Sequence, residues 1–149
     1  MLRFRRRVET HRPVEEVYDY LADFETTNEW DPRASATRRL EGDGGVDTRY
    51  GTEVAFWRRT VPMTYTVTCL DRPHRIGWVG LTRLVRHEDT IDVVPGLEGT
   101  AVIDYTASFD FRRVPWLVEP LLRRSLLRLC DEAATGLTTT LAPRHRAQA

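Results

Sequence analysis

The sequence predicts an α+β fold: a curved antiparallel sheet of about six or seven strands wrapped around a long C-terminal helix, with two short helices after the first strand. Three observations lead there. Several consecutive segments alternate apolar and polar residues with period two and are joined by short turn-rich stretches, the mark of an antiparallel meander. One long segment at the end carries a single apolar stripe at helical spacing. A sheet with one apolar face and a helix with one apolar stripe satisfy each other by packing together.

The first strand is Leu2 to Thr10, where Leu2, Phe4 and Val8 share one face and Arg3, Arg5, Arg7 and Glu9 the other; Arg6 interrupts the apolar face. Pro13 opens a helix running to Asp23, in which Val14, Val17, Tyr18 and Leu21 recur at helical spacing. Pro suits a first helical turn, and Glu15 and Glu16 complement the N-terminal dipole. A second short helix covers Phe24 to Trp30 and is ended by Asp31-Pro32, since a residue before Pro leaves the helical region. Strands are then expected over Ala36 to Glu41, Gly51 to Thr60, Val61 to Leu70, Ile76 to Leu81, Leu84 to Val93 and Thr100 to Phe111. Gly42-Asp43-Gly44-Gly45, Asp71-Arg72-Pro73-His74 and Pro95-Gly96 supply turns between them. The final helix spans Pro115 to about Leu141, with Val118, Leu122, Leu126, Leu129, Ala133 and Leu137 as its stripe; Pro120 divides a lead-in turn from the main helix. A single domain over residues 1–142 and a flexible C-terminal tail over 143–149 complete the organisation.

Composition narrows the function classes. With 149 residues, 41% hydrophobic and 30% charged, the chain is long enough to bury a core without staples and is neither disordered nor membrane-spanning in character. The formal net charge of +0 lacks the positive field of a general nucleic-acid binder. The basic start, Arg3 to Arg7, is followed by no apolar run of secretory type, so the expected location is the cytoplasm, without stable membrane insertion. Cys69 and Cys130 belong to no Cys/His cluster; both read as reduced core residues, and no metal is expected. No phosphate-binding glycine pattern or serine elbow is present, so no cofactor is implied.

A strongly curled sheet held by one helix leaves a gap that becomes a pocket. At this point the residues resemble a known family. Val8-Glu9-Thr10-His11-Arg12-Pro13-Val14-Glu15-Glu16-Val17-Tyr18-Asp19-Tyr20-Leu21-Ala22-Asp23, Asn28-Glu29-Trp30-Asp31-Pro32, Gly51-Thr52-Glu53, Asp71-Arg72-Pro73-His74-Arg75-Ile76 and Gly99-Thr100-Ala101-Val102 resemble the polyketide cyclase/dehydrase and lipid-transport superfamily, also described as START-like, SRPBCC or helix-grip proteins. These are turn, cap and packing residues that speak for fold. The resemblance implies a cavity for a small molecule but no single chemistry, because the family contains cyclases, carriers and ligand sensors.

The alternation places Met63 and Tyr65 on one inward face and Ile103, Tyr105 and Phe109 on another. The two Tyr hydroxyls then meet either a ligand oxygen or a rim or backbone partner. Trp57 and Trp78 wall a pocket or fill the core, and Leu122, Leu126 and Leu129 form the helical wall. His87 and Asp89 share a strand face with Val85, Ile91 and Val93. Turned inward, they pair as an oriented general base; turned outward, His87-Glu88-Asp89 is a solvated charge cluster near a sheet edge. Arg58 pairs with a ligand carboxylate or Glu53, or is solvated. Trp30 and Trp116 read as structural anchors, and His11, His74 and His145 as surface residues.

Three functions follow. The first is binding or transport of a hydrophobic small molecule such as a lipid, polyketide or aromatic metabolite. The second is a cofactor-independent cyclase or dehydratase using His87, Asp89, Tyr65 and Tyr105. The third is a protein-interaction module. Monomer and homodimer are both compatible with the sequence.

Overall fold

In the computed structural model, which describes residues 1–142, the expected elements assemble as one sheet and one gripping helix. The tail over 143–149, with His145, lies outside the described residues. The chain runs through β1 (Leu2–Thr10), α1 (Val14–Ala22), a 3-10 turn at Phe24–Thr26, α2 (Thr27–Trp30), β2 (Ala34–Glu41), β3 (Arg49–Phe56), β4 (Arg59–Asp71), β5 (Arg75–Leu81), β6 (Val85–Pro95), β7 (Ala101–Phe111), a 3-10 turn at Trp116–Val118 and α3 (Glu119–Thr140). The seven strands pair antiparallel in the order β1-β7-β6-β5-β4-β3-β2. Only β1 leaves the sequential meander, by pairing with the last strand.

Period-two burial holds along the strands and fixes which face looks inward. In β6, His87, Asp89, Ile91 and Val93 are buried while Arg86 and Glu88 are exposed. In β7, Ile103, Tyr105, Ala107 and Phe109 are buried. β2 is an edge strand, short of burial except at Thr37 and irregular in register between Ser35 and Arg38. An irregular, Arg-bearing edge is poor at recruiting another strand.

On α3, Leu122, Leu126, Leu129, Cys130, Ala133 and Leu137 are buried against the sheet. Each large side chain so buried contributes about 1.5–3 kcal/mol. Pro120 stands in the first turn of α3, where its missing N–H costs nothing, so the lead-in turn ends before it. Arg6, the apparent break in the apolar face of β1, reaches Asp131 on α3 through Nε at 2.6 Å. It interrupts the pattern because the strand faces a helix there.

Several strand boundaries move by one or two residues, β2 beginning at Ala34 and β3 at Arg49, and one expected strand divides. The run from Gly51 to Thr60 is two strands and a tight turn: Phe56 pairs with Arg59, leaving Trp57 and Arg58 as the two turn residues, at φ +50° and +58°. Such a turn requires left-handed backbone at both central positions and normally carries Asn-Gly; Trp-Arg hides it. The last-but-one strand starts at Val85 and continues to Pro95.

α2 is tied down on two sides. Asn28 exchanges hydrogen bonds with the backbone of Thr37, donating from Nδ2 to the carbonyl at 3.0 Å and accepting the N–H at 2.9 Å. On the other side α2 packs on α3 at Gly136, where a Cβ would lie 1.8 Å from the Trp30 carbonyl oxygen. Gly136→Ala is therefore expected to destabilise by about 2–4 kcal/mol, although Ala is the better helix former. Urea unfolding checks this; a neutral or stabilised variant would show that the two helices are not in backbone contact.

Candidate functional site

The inner faces of the sheet, α2 and α3 enclose a cavity of about 110 Å³ open to the centre of a water molecule, several times what one water needs. Its walls are mainly apolar: Val54, Phe56, Val61, Met63, Phe109 and Phe111 from the sheet, Phe24 from the turn after α1, and Leu126 and Leu129 from α3. One wall is polar, built by neighbouring strands in register. Trp78 lies opposite Asp89, Gly80 opposite both Tyr65 and His87, and His87 opposite Phe109.

Gly80 makes room for this wall. A Cβ there would lie 2.5–2.9 Å from the Tyr65 ring atoms, so the ring lies across the bare backbone and its hydroxyl reaches His87. The His87 ring is stacked on Phe109, with centroids 4.2 Å apart and planes 9° apart. Phe24, from the turn after α1, packs against Tyr50, Tyr65 and Trp78 and braces the wall from the other side.

The hydrogen bonds form two sets, one centred on Asp89 and one joining Tyr65 to His87. Asp89 accepts the Trp78 indole N–H on Oδ2 and the Tyr105 hydroxyl on Oδ1, each at 2.8 Å. Tyr65 Oη and His87 Nδ1 are 2.8 Å apart. Burial, reinforced by Asp89 and Asp31, holds the Tyr65 hydroxyl well above its ordinary range, so it keeps its proton, which has two acceptors in reach, His87 Nδ1 and Met63 Sδ at 3.6 Å. Donation to Nδ1 is the arrangement that puts the imidazole hydrogen on Nε2. Nε2 lies 2.8 Å from Asp89 Oδ1, off the line of a ring N–H, a close contact that gains little, and it is a buried nitrogen without a hydrogen-bond partner. The indole N–H of Trp30 is, among the described residues, a second buried ring nitrogen without a partner, and Trp30 also lines the cavity.

Asp31 completes the polar side. It follows α2 in extended backbone, as its place before Pro32 requires, and its Oδ1 caps the Arg33 N–H at 2.9 Å. Desolvation is the main force pushing this carboxyl up to about 6; the Arg33 backbone bond opposes it and Asp89 adds to it. Arg33 grips Glu132 of α3 through Nε and Nη2 at 2.5 and 3.1 Å, which fixes the segment carrying Asp31.

Met63, Tyr65, Trp78, Tyr105, Phe109, Leu126 and Leu129 line the cavity with His87 and Asp89. β6 is a central strand with this face inward, so the picture of a solvated charge cluster at an edge does not hold. Three expected lining residues stand elsewhere. Trp57 sits in the hairpin turn, exposed, stacked on Phe56 and donating its N–H to Ser125 at 2.7 Å. Ile103 is fully buried in the core beyond the cavity. Leu122 lies nearer the start of α3, beside Leu2, Phe109 and Pro115. Arg58 is exposed in the turn. Trp30 and Asp31 were not foreseen as site residues; the Asp-Pro pair marked a helix end, and nothing in it shows which way a carboxylate points.

Both cysteines are free, and burial pushes the Cys130 thiol up to about 12, which removes it as a nucleophile. Among the described residues no group of three or more His, Cys, Asp or Glu stands ready to hold a metal. No helix is long and apolar enough to cross a membrane.

A family model described as polyketide cyclase/dehydrase and lipid transport matches residues 1–142. No curated protein matches the sequence. Among solved structures, a START superfamily protein from Mycobacterium smegmatis aligns with TM-score 0.79 at 14% identity, covering 93% of this chain and 96% of that one. The ZhuI aromatase/cyclase from Streptomyces sp. R1128 aligns with TM-score 0.76 at 15% identity, covering 94% and 90%. A norcoclaurine synthase point mutant from Thalictrum flavum, in complex with a transition-state analogue, aligns with TM-score 0.66 at 18% identity, covering 93% and 94%. At these identities the likeness is one of fold.

The raised Asp31 carboxyl predicts a pH effect of definite sign. Between 3.8 and about 6 the folded chain binds more protons than the unfolded one, so this group's contribution to stability falls as pH rises through that window and is level above it. Asp31→Asn keeps the cap on Arg33 and removes the titration. Its stability relative to the parent should rise by about 1–2 kcal/mol across the window, allowing for the group's partial contact with solvent. Paired urea unfolding curves at several pH values measure it; a constant difference would place the carboxyl in water.

Proposed function

The chain belongs to the polyketide cyclase/dehydrase and lipid-transport family, and on that premise we propose that it binds a hydrophobic small molecule of the aromatic or polyketide type carrying at least one oxygen acceptor. The supporting observation is the pair of buried ring nitrogens without partners, His87 Nε2 and Trp30 Nε1, on side chains that line a mainly apolar cavity; with Tyr65 donating to Nδ1, both are N–H donors. A buried donor left unpaired costs about 1–3 kcal/mol. A ligand carbonyl or phenol oxygen recovers that cost, while the phenylalanines and leucines take up the hydrocarbon.

Each group has a part in this reading. Tyr65 fixes the tautomer of His87. Asp89, held by Trp78 and Tyr105, keeps the wall rigid. Asp31 supplies an acceptor for a ligand hydroxyl.

A second reading, cofactor-independent cyclisation or dehydration, is favoured by Asp31 together with His87. Aldol-type ring closure needs a base to take the proton next to a carbonyl and an acid to protonate the oxygen that leaves as water. A carboxyl near 6 can do the first, and an N–H donor such as His87 Nε2 can hold the carbonyl oxygen as charge develops on it.

Native mass spectrometry of freshly purified protein, with denaturing extraction of any passenger, tests for occupancy. Calorimetry then compares 1-naphthol with naphthalene. The naphthol is expected to bind about tenfold more tightly, one hydrogen bond's worth. That preference should disappear in His87→Phe or Trp30→Phe while naphthalene binding persists. Equal affinity for both probes in the parent would remove the assignment of an oxygen-bearing ligand. For the second reading, Asp31→Asn should abolish conversion of a poly-β-ketone model substrate while leaving its binding intact; unchanged conversion would eliminate Asp31 as the base.

A further inference from the structure

The two ends of the sheet differ in their surfaces. The turns β3–β4, β5–β6 and β7–α3 all lie at one end, because the strands alternate in direction. At this end Trp57, Leu81, Leu84, Trp116, Leu117 and Leu121 point large apolar side chains into solvent, Trp116 at 78% exposure and Leu117 at 71%. They are more than half of the exposed large apolar residues among the described ones. Soluble surfaces scatter such residues singly; a cluster marks a contact site.

Charge gathers at the same end. Arg58 and Arg59 stand at the first hairpin, Arg83 at the second, Arg112 and Arg113 after β7, and Arg123 and Arg124 on the first turns of α3. All are exposed, and none makes an ion pair among the described residues. Against them, residues 56–60, 81–85 and 110–125 carry two acids, Asp110 and Glu119. In a chain of formal net charge +0, this is a strong local polarisation. The hairpins are held together: Trp57 donates to Ser125 of α3, and the Arg112 N–H bonds the Leu84 carbonyl at 2.8 Å.

We propose that this end docks on an anionic lipid surface. Protruding Trp and Leu side chains enter the boundary between headgroups and acyl chains, and the surrounding Arg residues engage lipid phosphates. Arg suits this position because its guanidinium forms paired hydrogen bonds to phosphate while its stem lies along apolar surface. A set of separate protruding turns, each carrying both apolar and basic residues, fits a deformable surface better than a groove cut for one protein. Phe56, Val85 and Phe111, the strand residues beside these turns, line the cavity, so the docked end is also the cavity's own end. The inference goes beyond the cavity reading and rests on a different observation.

Vesicle flotation tests it, using phosphatidylcholine alone and phosphatidylcholine mixed with phosphatidylglycerol. The protein should float with the anionic vesicles, release as salt is raised, and show a blue shift of Trp emission on binding. Trp116→Ser with Leu117→Ser, and separately Arg112→Ser with Arg113→Ser, should each weaken partitioning about tenfold. Leu97→Ser, at the opposite end and equally exposed, should change nothing. These side chains are exposed, so unfolding temperatures should match the parent, and 1-naphthol affinity should persist in solution in every variant. Absence of flotation, saturable binding to a purified acidic acyl carrier protein in its place, or equal loss in Leu97→Ser would overturn the proposal.

Discussion

Burying the carboxylate of Asp89 is the constraint on which the interior depends. A carboxylate removed from water costs several kcal/mol unless its oxygens are occupied. Here Trp78 and Tyr105 each donate to it at 2.8 Å, from strands flanking β6 on opposite sides. One side chain thus pins three central strands in register, and a slip of one residue would carry Asp89 outward and leave both donors unpaired. His87, two residues earlier on the same face, inherits its position from that register.

Small residues opposite the polar ones make the arrangement possible. Gly80 lets the Tyr65 ring lie flat on β5, and Ala107, directly opposite Asp89 on β7, leaves space above the carboxylate. Larger residues at these two places would fill the wall with hydrocarbon. The cavity exists because the inner face alternates between very large side chains, such as Trp78, Phe109 and Tyr65, and positions with almost none. α3 then covers the gap with leucines whose spacing matches the curl of the sheet.

Much of this was legible in the sequence. Period two in β4, β6 and β7 identified the inward faces, and the spacing of leucines in α3 identified the gripping helix. The convergence of Tyr65, His87, Asp89 and Tyr105 was readable as a possibility, since each alternation set one residue's side; what remained open was whether β6 was central or an edge. β6 is interior because it pairs with both β5 and β7, and the alternation within one strand does not encode which strands flank it. Trp57 misled for a different reason: Trp-Arg is an unusual pair for a tight turn with left-handed backbone, so the hairpin looked like continuous strand. Trp30 and Asp31 were hidden by their local roles at a helix end. Their second role arises only when Gly136 lets α2 settle against α3.

The perturbed groups divide the cavity's chemistry. Burial pushes the titration of Tyr65 and Tyr105 further above the working pH, so their hydroxyls stay protonated and neutral. The same burial lifts the Asp31 titration to about 6, close to the working pH. Desolvation thus makes the tyrosines structural and the aspartate responsive, from one physical cause acting on acids of different intrinsic strength. A carrier needs only the fixed donors, whereas an enzyme also needs a group that can take and return a proton at working pH. Asp31 stands on the segment between α2 and β2, apart from the rigid wall of β4 to β7. Binding and proton transfer would therefore be served by separable parts of the cavity.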